Sequence, residues 1–171
     1  GQLLEIWLIN GRLVLDSGNA NYSFGALHDV MKKAIRIAGI NPSKSEKLLL
    51  LGLGGGSVID ILRNNLKSEV RVHAVERDKT VVQMAEQYFH ISAYNQVETV
   101  MADAFDYVND CKEIYHYIIM DIFMGNTVPE EFLTKSFIEN LNDLLNSGGT
   151  LIFNTMLGGQ DTDRKSTRLN S

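Results

Sequence analysis

The period of the apolar positions changes several times along the chain, and each change marks an element. Leu3–Ile9 and Arg12–Leu15 are apolar-rich runs separated by Asn10-Gly11. Asn-Gly between two such runs predicts a hairpin, because a type I′ turn needs positive φ at both central positions. Ser17–Asn21 reads as loop. From Phe24 to Ala38 the apolar residues Phe24, Leu27, Met31, Ala34, Ile35 and Ala38 recur at three and four, the spacing of a helix face, and Gly39 stops the helix. A polar linker, Asn41–Ser45 with Pro42, follows.

From Lys47 the pattern alternates between apolar runs and helical spacing. Lys47–Leu53 is a continuous apolar run, as in a parallel strand buried on both faces. Ser57–Leu66 reads as a helix, Val70–Glu76 as a strand, and Asp78–Phe89 as a helix with Asp78 as N-cap. Val97–Asp103 is a third strand, followed by a short helix from Ala104, and Tyr115–Asp121 is a fourth. Pro129–Asn146 reads as one long helix with Phe132, Leu133, Phe137, Leu141, Leu144 and Leu145 on its apolar face. Gly148-Gly149 ends it, and Thr150–Thr155 is a fifth strand. Strand–helix alternation at this spacing predicts βαβ units: an α/β fold with a parallel sheet and helices on both faces. The hairpin stands outside that unit. The expected organisation is a hairpin remnant at 1–21, a nucleotide-binding domain over 22–162 that is cut off after the fifth strand, and a separate tail at 163–171.

Composition narrows the class. The 171 residues are 44% apolar and 22% charged, ordinary for one soluble globular domain. The net charge of −5 gives no nucleic-acid footprint. No apolar run approaches the roughly 20 residues that span a bilayer. One cysteine, Cys111, allows no disulfide within the chain, which fits a cytoplasmic setting. Asp163–Ser171 reads as the in-frame translation of a sequencing-library adapter, to be set aside from fold reasoning. It holds three basic residues and one acid, so without it the charge of −5 becomes −7.

In open α/β sheets ligands lie at the C-terminal ends of the strands, and here those ends carry the chemistry. The first strand ends in Gly52-Leu53-Gly54-Gly55-Gly56-Ser57 and opens a helix. Glycines let backbone turn sharply and approach a ligand, and the helix N-terminus favours an anionic group. A tight turn needing positive φ is the plainer reading. For Ser57 the plainer reading is an N-cap with Asp60 completing a capping box. The second strand ends in Glu76, placed to accept from two ribose hydroxyls, or else a solvated strand-end acid. The third ends in Asp103-Ala104, where the acid can accept from an adenine amino group, cap the following helix, or do both. The fourth ends in Asp121, placed either to orient an incoming amine and accept its proton or to cap a loop. A dinucleotide fingerprint fails, because Ser57 takes its last glycine position. His73, His90 and His116 are scattered without ligand spacing, so no metal site is expected.

These residues, from about Arg12 to Thr155, resemble the spermidine/spermine synthase family, which shares the Rossmann-like class I methyltransferase fold. Arg12-Leu13-Val14-Leu15-Asp16 is similar to the family's strand ending in Leu-Asp-Gly. Tyr22 and His28 have the spacing of its Tyr…His pair. Gly54-Gly55-Gly56, Val75-Glu76-Arg77-Asp78, Asp103-Ala104 and Ile118-Ile119-Met120-Asp121 fall in family order. The resemblance implies a donor, S-adenosylmethionine or decarboxylated S-adenosylmethionine, with ribose on Glu76, adenine at Asp103, and Tyr22 and Asp121 at the reaction centre. It implies an aminopropyl transferase of polyamine biosynthesis with a small amine acceptor and a possible homodimer. Three departures point another way. Ser57-Val58 stand where the family has Asp-Gly after its glycines, Phe24 replaces a glutamate, and Asp121-Ile122-Phe123-Met124-Gly125 keeps only the first acid of Asp-Ser-x-Asp-Pro. A dicationic polyamine needs carboxylates at both ends, because a buried ammonium without a partner is costly. Ser57 also leaves the helix N-terminus open to a carboxylate. Intact S-adenosylmethionine and methyl transfer are therefore the alternative, and a non-catalytic nucleoside-binding module is a third.

Overall fold

The computed structural model of the protein describes residues 4–9, 12–16, 26–40, 42–124 and 127–155. The Asn10-Gly11 turn, the Ser17–Asn21 loop, Tyr22, Phe24, Gly125 and the 163–171 tail lie outside the described residues. Strands β1 (Glu5–Ile9) and β2 (Arg12–Asp16) pair antiparallel as a sheet of their own, with Ile9 opposite Arg12.

The second sheet has five strands, all parallel: β3 (Lys47–Leu51), β4 (Arg71–Glu76), β5 (Val97–Met101), β6 (Tyr115–Met120) and β7 (Leu145–Phe153). Their order in space is β5-β4-β3-β6-β7. The chain leaves the centre through β4 and β5, then returns to lay β6 on the other side of β3. Between β3 and β6 the winding reverses, the point at which open α/β sheets bind ligands at the strands' C-terminal ends. β3 is covered on both faces, with Leu48, Leu49, Leu50 and Leu51 fully buried. One core joins Leu48 and Leu50 to α1 (Ala26–Ile37), α2 (Ser57–Asp60) and the end of α3 (Lys79–Phe89). The other joins Leu49 and Leu51 to α4 (Ala104–Asp110) and α5 (Lys135–Asp143).

Several local signals act as the sequence predicts. Gly39, at φ 67°, ends α1. The Asp78 carboxylate accepts from the Thr80 and Val81 amides and caps α3. Asp103 accepts from the Phe105 amide at 2.8 Å and caps α4.

Several expectations need correction. The helix opening at Ser57 does not continue regularly to Leu66: it widens into a π turn over Ile61–Asn65, where the Leu66 amide reaches the Ile61 carbonyl. The Ser57–Asp60 capping box is absent, since Gly56 at φ 82° is the N-cap with no side-chain cap, and Asp60 is engaged by His28 and Asn64. The helix over Pro129–Asn146 breaks into a 3₁₀ turn (Glu130–Leu133) and α5, because extended Thr134 caps α5 with its hydroxyl. Phe132 and Phe137, from either side of that break, meet edge-to-face at 5.1 Å. Finally, Gly148-Gly149 does not precede the last strand but lies inside β7. Tyr115 pairs with Leu145 and Tyr117 with Thr150, so the intervening residues form an irregularity at φ 81° on Gly148. β3 and β5 also stop earlier than expected, at Leu51 and Met101.

Candidate active site

Four strand ends place acids or glycines along one edge of the sheet, in the spatial order Asp103, Glu76, the Gly52–Ser57 loop, Asp121. The glycine loop is anchored first by backbone, with the Gly52 amide donating to the Val75 carbonyl at 3.0 Å. Gly52, Gly54 and Gly56 all have positive φ. At Gly52 the requirement is double: φ is 91°, and a Cβ there would stand 2.4 Å from the Asp121 carbonyl oxygen. The loop after β3 and the acid after β6 are thus packed backbone to backbone. The Asp121 amide donates to the Leu51 carbonyl at 2.8 Å, which fixes the same relation from the other side.

Glu76 is held by both oxygens. Oε1 accepts from the Asp78 amide at 3.0 Å, and Oε2 from the Gly54 amide at 3.4 Å. A carboxylate has about four acceptor positions, so each oxygen keeps one for a ligand. Asp103 Oδ1 caps α4, and its Oδ2 accepts from Arg77 Nη1 at 3.3 Å. Ala104 follows as the buried first residue of α4, and Gly55 is buried in the loop. For Glu76 and Asp103 the capping or anchoring role and a ligand role are compatible.

Asp121 differs from these two. Its carboxylate keeps one part-buried side-chain partner, Asn154 Nδ2, which donates to Oδ1 at 2.8 Å. Desolvation pushes its carboxyl above the usual carboxylate range, and the Asn154 hydrogen bond opposes this without cancelling it. A carboxylate raised in this way is better suited to take a proton near neutral pH. Asn154 comes from just beyond β7, its own amide donating to the Met120 carbonyl at 3.0 Å. It carries no charge to mark it in the sequence, although it stands at the end of the fifth strand as the acids and glycines stand at the other four. Tyr22 lies outside the described residues. Among the described residues, no group of three His, Cys, Asp or Glu side chains is placed to hold a metal ion.

Comparison with known proteins bears on the family and the fold of this sheet. The spermine/spermidine synthase domain matches residues 28–157. The chain belongs to the spermine/spermidine synthase family. It is 34% identical over 140 residues to a polyamine aminopropyltransferase of Vibrio vulnificus, a match covering 79% of this chain and 46% of the relative. It is also 28% identical over 142 residues to the eEF1A lysine and N-terminal methyltransferase of Xenopus laevis, covering 77% of this chain and 20% of that protein. The chain therefore spans less than half the length of either relative. Among solved structures, human methyltransferase-like protein 13 in complex with SAH superposes with a TM-score of 0.62 at 26% identity, over 80% of this chain and 68% of that one. A probable spermidine synthase from Corynebacterium glutamicum superposes with a TM-score of 0.74 at 18% identity, over 89% and 60%, and shares the fold. The α/β sheet of class I methyltransferases is thus the fold of this family member. No helix among the described residues is long and apolar enough to cross a membrane.

Proposed function

We propose that this chain carries the donor site and the proton-accepting acid of a transferase. It would take decarboxylated S-adenosylmethionine as donor and deliver its aminopropyl group to a small amine, in polyamine biosynthesis. The observation that carries the reading is Asp121: a desolvated carboxylate at the winding reversal, packed by its backbone against the glycine loop. The similarity to an aminopropyltransferase supports the same reading. The residues suit the donor's chemistry. Glu76 keeps acceptor positions for ribose hydroxyls, Asp103 keeps one for the adenine amino group, and the Gly52–Ser57 loop lets backbone approach closely, with Gly54, Gly55, Gly56 and Ser57 lining the approach.

The reaction needs little beyond alignment and proton removal, because a sulfonium is already a good leaving group. An amine with pKa near 10 arrives protonated. Asp121 accepts its proton, the nitrogen lone pair attacks the carbon on sulfur, and the C–S bond breaks with its electrons going to sulfur, leaving a neutral thioether nucleoside. Alignment of such partners lowers a barrier by roughly 7–11 kcal/mol. Tyr22, by family resemblance, would serve the acceptor side.

Methyl transfer from intact S-adenosylmethionine is the second reading, favoured by one observation. Ser57 and its neighbours bring no acid to the glycine loop, and Gly56, the N-cap of the helix from Ser57, has no side chain to occupy that end. Such an N-terminus suits the donor's carboxylate rather than repelling it. The similarity to an eEF1A methyltransferase fits this reading. Thermal melting with each donor and with NAD separates the readings. A donor at a hundred times its dissociation constant adds about 2.7 kcal/mol, or about 5–10 °C. A larger shift with the decarboxylated form supports aminopropyl transfer, and a larger shift with the intact form supports methyl transfer. No shift with either, or a shift with NAD alone, rejects the donor assignment.

Glu76 gives a further prediction. Glu76→Ala is expected to weaken either donor by about 10- to 100-fold, the loss of one or more charge-assisted hydrogen bonds at about 1.5–3 kcal/mol. Calorimetric titration reads this directly, and an unchanged affinity removes Glu76 from the site.

A further inference from the structure

Around α2, four polar side chains from three parts of the chain form one hydrogen-bonded series. His28, in the first turn of α1, is 3% exposed, and its Nε2 lies 3.2 Å from Asp60 Oδ2. A carboxylate only accepts, so Nε2 carries the proton. Asp29, on the same helix, stands 3.8 Å from the other ring nitrogen. Asp60 Oδ1 accepts from Asn64 Nδ2 at 2.7 Å, and the second hydrogen of that amide reaches the Tyr94 hydroxyl at 3.0 Å. Asp60 ends α2, Asn64 sits in the π turn, and Tyr94 follows the short 3₁₀ turn (Ile91–Ala93) after α3.

None of the four stands at a strand end, yet backbone ties the series to the glycine loop. The Asp60 amide donates to the Gly56 carbonyl at 2.9 Å, so the acid that takes His28 hangs from the loop's last glycine. From the α3 side, Ile91 closes on the same glycine: a Cβ on Gly56 would stand 2.3 Å from Ile91 Cδ1. A glycine loop has little stiffness of its own, since glycine loses more conformational freedom on folding than any other residue. Its shape must be held from outside. Burying an imidazole against a carboxylate costs more than packing two apolar side chains, so packing alone does not account for the pair. The π turn falls where Asn64 makes both of its bonds, and such turns cluster at functional sites.

We propose that His28, Asp60, Asn64 and Tyr94 form a strap that holds the glycine loop in the shape that receives the donor, with His28 and Asp60 as positioning residues. The strap rests on the donor reading above, because its effect is read through donor affinity. It acts at the Gly56 end of the loop, away from the contact between Gly52 and Asp121, and so on donor binding rather than on the proton-accepting acid.

Calorimetric titration of the full chain with S-adenosylmethionine and with its decarboxylated form tests this. His28→Leu keeps the bulk and removes the N–H. It is expected to weaken each donor about tenfold. His28→Gln sets an amide nitrogen the same number of bonds from the backbone as Nε2, and should restore binding to within about threefold. In turnover assays the donor KM rises while kcat stays. A lower melting temperature with unchanged donor affinity makes the series structural only and overturns the proposal, as does equal weakening by Leu and Gln. Should His28→Leu not fold, Tyr94→Phe, which deletes one hydroxyl, carries the test: about threefold weaker binding is expected, and unchanged binding overturns it. If the wild-type chain binds neither donor, the donor reading falls and the strap with it; if it binds and the variants are indifferent, the strap alone falls.

Discussion

Asp121→Asn is expected to cut turnover about 100- to 10,000-fold while leaving donor affinity within about threefold, the range for losing a positioned general base. Asparagine keeps the volume and can still meet Asn154, but it cannot take a proton. The same variant has a signature in stability. Burial raises the Asp121 pKa in the folded protein above the ordinary carboxylate value of 3.8. The folded state then binds the proton more tightly than the unfolded chain does, and the stability this confers is fully present below the unfolded pKa. It is lost as pH rises through the folded pKa. Asp121→Asn removes that loss, so its stability relative to wild type should grow from about pH 4 upward and level off above the folded pKa. Denaturant melts between pH 3 and pH 8 read the difference. Turnover in the wild type should rise with pH through the same pKa, and that limb should vanish in the variant. Unchanged turnover removes Asp121 from the chemistry, and a flat stability difference removes its desolvation.

Gly52→Ala is expected to destabilise the domain by about 3 kcal/mol, the sum of a non-glycine residue at strongly positive φ and a new methyl group forced against backbone. The contact is the decisive part. The added carbon would stand 2.4 Å from the Asp121 carbonyl oxygen, an atom of a buried strand end that cannot swing aside as a side-chain tip can. Melting should fall by about 6–12 °C. Because relief requires Asp121 to move, turnover should drop more than donor affinity. Gly39→Ala is the matched control: φ is also positive, but nothing stands within 4 Å of the added carbon. A similar loss in both variants would mean that strain at φ, and not the close approach to Asp121, sets the cost.

What the sequence made legible was governed by local rules or by burial on two faces. Leu48–Leu51 read as a strand because every residue of it is buried, and Asp78 and Asp103 read as caps because a cap's partners lie two or three residues away. What it hid depended on distant partners. Asp60 stands at capping-box distance from Ser57, but its carboxylate is taken by His28, 32 residues earlier. The helical spacing through Phe132 and Phe137 masked the break at Thr134, since both rings reach one aromatic cluster with Phe105 from separate turns. Gly148-Gly149 read as a helix stop, whereas β6 recruits the residues before it into β7 across an irregular register. At the site, the glycines and the three acids were visible as strand ends. Asn154 stands at the end of the fifth strand in the same way, but its contact with Asp121 depends on β7 lying beside β6.

The most direct test of the central claim is a crystal structure of this chain with S-adenosylhomocysteine, a thioether that carries the adenosyl group of either donor. The account predicts ribose hydroxyls on Glu76, the adenine amino group at Asp103, the Gly52–Ser57 loop along the ligand, and sulfur on the side that faces Asp121. A nucleoside bound away from this edge, or bound here with Glu76 turned from the ribose, would contradict it.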